Sequence, residues 1–190
     1  MKIKKLSELV VTPFLNLYDC VHENKNGKEK HWFIASRKKY EELNNQFIKD
    51  EKTSVDAVIL VAHHEKNNEL VLIRQFRVPL NDYIYELPAG LIDEGETITT
   101  SAVRELKEET GLSVVEIKEA KARTYLSPGM TDESAALIYL TCKGEVSKDY
   151  LEEDEDITPL LVSKQMAEEI LSGNELIDIK AYMALKDFIK

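Results

Sequence analysis

The sequence predicts an α/β protein with one main β-sheet, several helices and a small antiparallel β element ahead of them. Three observations carry this. Val55 to Ala62 and Leu70 to Phe76 are apolar, β-branched runs separated by the polar connection HHEKNNE, which makes them paired strands of the main sheet. Thr97 to Thr110 has a helical pattern bracketed by Gly95 and Gly111, with strand-like runs before and after it. The chain then closes on helical segments. Its 190 residues, 43% of them hydrophobic, suit one compact domain with a sizeable core and a small appendage, because domains usually run to about 100–200 residues. We place the N-terminal β element at 1–50 and the main domain at 51–190.

Taken in order, Phe14 to Arg37 has β-rich patches on either side of Asn26-Gly27, a dipeptide suited to the positive φ angles of a tight hairpin turn. The following SRKKYEELNNQF is compatible with a short helix or with a charged connection. Beyond the two sheet strands, Tyr83 to Leu87 is a further short strand that Pro88-Ala89-Gly90 ends. The helix over Thr97 to Thr110 takes Thr97 or Thr99 as its cap and stops at Gly111. Strand-like runs follow at Leu112 to Ile117, Ala122 to Leu126, Ala135 to Cys142 and Thr158 to Val162. Ser163 to Ser172 is a helix halted by Gly173-Asn174, and Asp178 caps a last helix with Tyr182, Leu185 and Ile189 on its apolar side.

A net charge of −10 and a pI near 5.0 exclude a nucleic-acid-coating surface, which needs clustered Lys and Arg. A small phosphate ligand is still admissible if local cations or metal ions receive it. Cys20 and Cys142, the only two cysteines, lack metal-type spacing and imply no disulfide framework. The start MKIKKLSELVVTPF lacks the uninterrupted apolar core of a signal peptide, and no run approaches the roughly 20 apolar residues of a membrane span. A cytoplasmic protein with neither membrane nor nucleic-acid partner is expected.

The stretch GLIDEGETITTSAVRELKEETGL, Gly90 to Leu112, poses the central question, because like charges three and four apart on a helix repel. At about 100° per residue, Glu105 and Glu109 follow Ala102 by one and two turns. They therefore share the side that Ile98, Ala102 and Leu106 turn toward the protein body, while Lys107 points nearly the other way. A solvated helix would place its acids opposite the apolar stripe. Sheltered carboxylates of like sign are costly unless a cation pairs them, and hard oxygen ligands suit Mg²⁺ or Mn²⁺. No histidine accompanies them at ligand spacing, which disfavours zinc; His22, His31, His63 and His64 read as surface or loop histidines.

Gly90, then Glu96 after five residues, then Arg104-Glu105-Leu106-Lys107-Glu108-Glu109-Thr110-Gly111-Leu112 resembles a complete Nudix box. That signature belongs to hydrolases of nucleoside diphosphates linked to another moiety. The resemblance implies a mixed sheet in an α/β/α sandwich, with the glutamates on a loop-helix-loop beside the sheet. It implies that Glu105 and Glu109 are metal ligands, that Glu108 supports the metal shell, and that the Ala89 carbonyl adds a ligand. Arg104 is implied to be structural, paired with Glu96 to fix the loop on the helix.

Outside the box, Leu126-Ser127-Pro128-Gly129-Met130-Thr131-Asp132-Glu133 reads by itself as a type II turn between strands. Its proline and trailing acid, together with Arg74-Gln75-Phe76-Arg77 and Glu86-Leu87-Pro88-Ala89-Gly90, also resemble the ADP-ribose pyrophosphatase branch of the Nudix family. That likeness implies that Arg77 contacts the substrate, that Leu91 lines its site, and that Ser127, Pro128, Gly129 and Glu133 hold the terminal ribose side. Lys52-Thr53-Ser54-Val55 departs from the branch, which often has an arginine there, so the resemblance bears on the diphosphate more than on the nucleobase.

The acidic run Leu151-Glu152-Glu153-Asp154-Glu155-Asp156-Ile157 is by composition a solvated loop. The resemblance instead implies a catalytic loop with Glu153 as general base and Glu155 as a further metal contact. The reading that results is a Mg²⁺- or Mn²⁺-dependent homodimeric hydrolase converting ADP-ribose, an ADP-sugar, to AMP and ribose 5-phosphate. Hydrolysis of another nucleoside diphosphate derivative and a silent nucleotide-sensing Nudix-like module are the alternatives.

Overall fold

The computed structural model describes residues 2–51, 53–153 and 155–190. Lys52 and Asp154, named above, lie outside them. The chain divides into two compact units, Met1–Asp56 with Arg123–Ala135, and Ala57–Ala122 with Ala136–Lys190.

The first unit contains β1 (Lys2–Val10), β2 (Asn16–Glu23) and β3 (Glu29–Ser36), an antiparallel sheet in that order. β2 and β3 pair without a break from Asn16↔Ser36 to Glu23↔Glu29. Their turn is wider than a two-residue hairpin. Gly27 takes the positive φ of 75°, and the Asn24 side chain accepts from the Asn26 and Lys28 amides at 2.9 and 3.0 Å. Helix α1 (Tyr40–Ile48) settles the open choice for SRKKYEELNNQF, since Leu43 is buried in a cluster with Leu6, Tyr18 and Cys20. Burial of one such leucine contributes about 1.5–3 kcal/mol, which outweighs the polar remainder of that short segment.

A buried polar knot ties this unit together. The Tyr18 hydroxyl and Asn16 Nδ2 donate to the Lys38 carbonyl at 2.8 and 3.1 Å. Lys38 Nζ donates to Asp56 Oδ1 at 2.7 Å and sits 3.0 Å from Asp132 Oδ2 as an ion pair without hydrogen-bond alignment. The other Asp56 oxygen accepts from the Ser134 amide and hydroxyl. Burial pushes the Asp56 carboxyl up, but Lys38 and Ser134 outweigh it and hold it below the usual aspartate value.

The second unit is built on the main sheet, ordered β11-β6-β5-β4-β9-β8. Its strands are β4 (Ala57–His64), β5 (Leu70–Arg77), β6 (Asp82–Glu86), β7 (Ala89–Leu91), β8 (Ser113–Tyr125), β9 (Ser134–Lys143), β10 (Ile157–Val162) and β11 (Leu176–Ile177), the last paired parallel to β6; residues 123–125 of β8 and 134–135 of β9 are counted with the first unit. β4 and β5 share the His63↔Leu70 pair, after which β4 takes β7 as partner and β5 takes β10. Residues 57–62 and 70–73 are buried throughout, as expected for strands covered on both faces. Helix α2 (Ile98–Thr110) packs on β4, β7 and β10; α3 (Lys164–Ser172) packs on α4 (Ile179–Phe188), which covers β5 and β6. The result is the mixed-sheet α/β/α architecture.

Several boundaries differ from the sequence expectation for identifiable reasons. β8 is one strand where two runs were expected, because the exposed, polar middle of it, Lys118 to Lys121, carries no apolar signal. β7 forms where Pro88-Ala89-Gly90 should only end a strand, since pairing with β4 overrides weak local propensity. Tyr182 is exposed, and Ala181 takes the buried place beside Leu185. His64 is a core residue of β4, with Nε2 3.0 Å from the Gly144 carbonyl oxygen, and His63 stacks on Phe188.

Candidate active site

The loop from Asp93 to Thr97 is shaped by local chemistry. Gly95 adopts φ 85°, the Glu96 amide donates to the Asp93 carbonyl, and Thr97 caps α2 in a reciprocal pair with Thr100. Thr97, rather than Thr99, is therefore the cap. At the other end Gly111 takes φ 75° and its amide donates to the Lys107 carbonyl at 2.9 Å. The glutamate helix is thus fixed at both ends by residues of its own sequence.

Arg104 organises the acids around it. Nε and Nη2 donate to Glu96, each at 2.9 Å; Nη2 also reaches the Leu91 carbonyl at 2.9 Å; and Nη1 serves Glu105 at 2.8 Å and Glu108 at 2.9 Å. Five contacts match the five N–H donors of a guanidinium, so Arg104 has none left for a substrate. With Ser101 donating as well, Glu96 is pulled down to about 2, Arg104 being the first cause.

Ser101, Ala102, Glu105, Leu106, Glu109 and Thr110 are the buried residues of α2. The two glutamates thus lie on the apolar side of the helix. Burial is the first cause that pushes Glu105 up to about 7, with Glu108 and Glu155 adding to it and Arg104 opposing. Glu109 is raised well above the usual glutamate value by burial and by Glu105 and Glu155, against one hydrogen bond from the Ala89 amide at 2.9 Å and the charge of Arg77. Two buried carboxylates therefore lack full cationic compensation.

Those donors suit a hard divalent ion. Among the described residues there is no ready-made group of three His, Cys, Asp or Glu side chains for a metal. Magnesium, however, is usually held by only one or two carboxylates, with waters and substrate phosphates completing its shell. The close approach of Gly90 to Glu105 also fits, since a Cβ on Gly90 would fall on the Glu105 carboxylate. Ala89, expected to offer its carbonyl, stands in β7 beside Gly90 and donates its amide to Glu109 of α2.

Arg77 ends β5 and grips Glu86 through Nε and Nη2 at 3.0 and 2.6 Å. Burial works against its charge, but Glu86, Glu109 and Asp178 outweigh it. Leu91 is exposed, and its carbonyl is taken by Arg104. Glu153 is an exposed turn residue. Glu155 accepts the Glu152 amide at 3.0 Å, and its charge reaches both Glu105 and Glu109. Arg77, Ala89, Leu91, Arg104, Glu105, Glu108, Glu109, Glu153 and Glu155 all belong to the second unit.

Ser127, Pro128, Gly129 and Glu133 belong to the first unit. The Ser127 carbonyl accepts the Met130 and Thr131 amides at 2.8 and 3.0 Å. Gly129 is not among the glycines of positive φ, so this is a helical turn and not the expected type II turn, which needs positive φ at that position. Trp32 Nε1 donates to the Gly129 carbonyl at 3.1 Å and Arg37 Nε to Glu133 at 3.1 Å. The sequence reading missed Trp32, Arg37 and Glu86 as the holders of candidate residues. Trp32–Gly129 and Arg37–Glu133 join residues 97 and 96 apart in the chain, and Arg77 meets Glu86, nine residues on, only through the pairing of β5 with β6.

The NUDIX domain model matches residues 50–185. An ADP-ribose pyrophosphatase of Bacillus subtilis is 33% identical over 134 residues, covering 68% of this chain and 69% of that protein. One of Saccharomyces cerevisiae is 35% identical over 129 residues, covering 66% of this chain and 51% of that protein. The chain spans about half the length of some curated relatives it matches, 54% and 51% for two of them. A solved structure described as an ADP compounds hydrolase has the same fold, with a TM-score of 0.73 at 19% identity over 97% of this chain and 90% of that one.

Proposed function

The chain belongs to the Nudix family, and from that membership we propose that it is a Mg²⁺-dependent pyrophosphohydrolase, with Mn²⁺ as a substitute, acting on ADP-ribose. Nudix hydrolases use divalent metal ions. The observation that carries the reading is the pair Glu105 and Glu109, buried on α2 with their carboxyls pushed up and short of cations. The names of the Bacillus and yeast relatives supply the substrate class.

In this reading Glu105 and Glu109, with the Ala89 carbonyl and Glu155, would hold the ions, and Glu108 would support them. The ions would supply neutralising charge to the phosphate oxygens. Arg77 orients the diphosphate through its guanidinium, Leu91 lines the site, and Ser127, Pro128, Gly129 and Glu133 hold the terminal ribose. Glu153 takes the proton of the attacking water as its oxygen bonds to phosphorus. The bridging P–O bond breaks, giving AMP and ribose 5-phosphate. Arg104 touches no reacting atom and fixes the carboxylates from behind.

Residues 1–50 form the association element of a homodimer, and 51–190 the hydrolase domain, in a cytoplasmic setting. Exposed Phe33 and Trp32 on β3, with exposed Phe14 in the β1–β2 connection, support an association surface in the N-terminal element. No helix among the described residues is long and apolar enough to cross a membrane. The test is a panel of nucleoside diphosphate derivatives with Mg²⁺ present or chelated. Stoichiometric AMP and ribose 5-phosphate from ADP-ribose, abolished by chelation, is expected. Metal-independent turnover, or none on any member of the panel, overturns the proposal.

A further inference from the structure

We infer that Tyr83 is a positioning residue for the acidic run, acting through its hydroxyl hold on Asp156. The inference rests on the proposed role of Glu153 and Glu155. Residues near this run are tied at two roots. At the first, the Ser147 amide donates to the Thr110 carbonyl at 3.0 Å, and Lys107 lies 4.0 Å over the Tyr150 ring. Both contacts come from the last turn of α2, the helix that carries the buried glutamates.

At the second root the grip is on one residue. The Phe76 amide donates to the Asp156 carbonyl at 3.2 Å, and the Tyr83 hydroxyl donates to the Asp156 carboxylate. Phe76 and Tyr83 are direct partners in the β5–β6 ladder. Asp156 is therefore held by backbone and side chain from a single rung, immediately before buried Ile157 starts β10 against Gln75. Lys148 Nζ joins the two roots by donating to Thr158 Oγ1 at 2.7 Å.

The Tyr83 ring is itself set. Arg74 lies 4.6 Å over its face, and Phe76 meets it edge-on with centroids 5.5 Å apart. A rigid strand thus presents a fixed donor to a loop that is otherwise largely exposed. Without that bond, Asp156 keeps only its backbone contact, and the chain carrying Glu155 one residue earlier gains freedom. A general base displaced by a fraction of an ångström loses turnover, while groups that bind the substrate elsewhere are untouched; misplacement by about 1 Å can cost about 100-fold.

The test compares Tyr83→Phe, Asp156→Ala and the double variant, with Glu153→Gln as reference, by kcat and KM for ADP-ribose at saturating Mg²⁺. Tyr83→Phe keeps the ring and removes only the hydroxyl. Each single variant is expected to lower kcat about 10-fold with KM within about 2-fold, and the double variant to fall no further, because both remove one interaction. Hydrogen exchange at the Phe76 amide should quicken in both. Wild-type kcat in Tyr83→Phe beside a crippled Glu153→Gln overturns the positioning role and leaves the functional reading standing. Additive losses in the double variant also overturn it. Full turnover in both Glu153→Gln and Glu155→Gln undoes the reading of the acidic run, and this inference with it.

Discussion

Replacing Gly90 by alanine separates the fold of this protein from its chemistry. The added Cβ would stand little more than half a van der Waals separation from Glu105 Cδ, Oε1 and Oε2, where carbon contacts normally sit at about 3.5–4.0 Å. The carboxylate must retreat by roughly 1.5 Å to restore ordinary contact. It is the far end of a flexible side chain, so the retreat is not costly in packing. The backbone should not resist either, since Gly90 is not among the residues of positive φ and it lies in β7, where alanine is tolerated. Stability should change by no more than about 1 kcal/mol, lost Glu105–Arg104 pairing being partly offset by reduced freedom of the unfolded chain. Activity should not survive. Catalytic groups misplaced by about 1 Å cost about 100-fold, so turnover of ADP-ribose at saturating Mg²⁺ should fall by at least that much, and the Mg²⁺ requirement should rise. Thermal denaturation and initial rates on the same preparation supply both numbers. A folded Gly90→Ala protein with near-normal rate and metal dependence would refute the placement of Glu105 at the chemistry.

Other expectations follow from the same geometry. Glu109→Gln should reduce turnover by at least about 100-fold and yet raise the metal-free melting temperature at neutral pH, because burial lifts the native carboxyl and its charge opposes folding above the unfolded value of about 4.3. That gain should shrink as pH falls toward the unfolded value, where the carboxyl is protonated in both states; an unchanged or lower melting temperature counts against the burial argument. Lys38→Met should cost about 3–5 kcal/mol in urea denaturation, since Asp56 and Asp132 are left buried without their cation. Asp56 is lowered in the fold, so its share of that stability is present above about pH 3.9 and is lost as pH falls through the folded value. Lys38 is raised despite burial, because Asp56 and Asp132 outweigh it, so its share is present below about pH 10.4 and lost as pH rises through its folded value. A wild-type-to-variant gap that fails to narrow at either extreme would contradict the pairing. Light scattering should find a dimer that dissociates when Phe14 and Phe33 are replaced by serine; a fully active monomer at assay concentration would remove the association role of the N-terminal sheet.

Local chemistry was enough to determine part of this protein. The cap at Thr97, the stop at Gly111 and the burial of Glu105 and Glu109 follow from residue identity and helical period, because each depends on neighbours within about two turns. The strands of β4 and β5 were legible for the same reason, their apolar runs being long and continuous. Tertiary structure alone decided the rest. Ala89-Gly90-Leu91 becomes a strand only because β4 leaves β5 and offers a free edge, and Leu176-Ile177 only because β6, paired with β5 on one side, offers its other edge. Within SRKKYEELNNQF the chain becomes helical from Tyr40 on, where Leu43 finds Leu6, Tyr18 and Cys20. The burial of Lys38 between Asp56 and Asp132 joins positions 18 and 94 residues away along the chain. Tyr83 meets Asp156 across a separation of 73 residues. Periodicity and capping report what a residue does within its own element; which distant side chain meets it depends on the register of strands, and that register exists only once the sheet has formed.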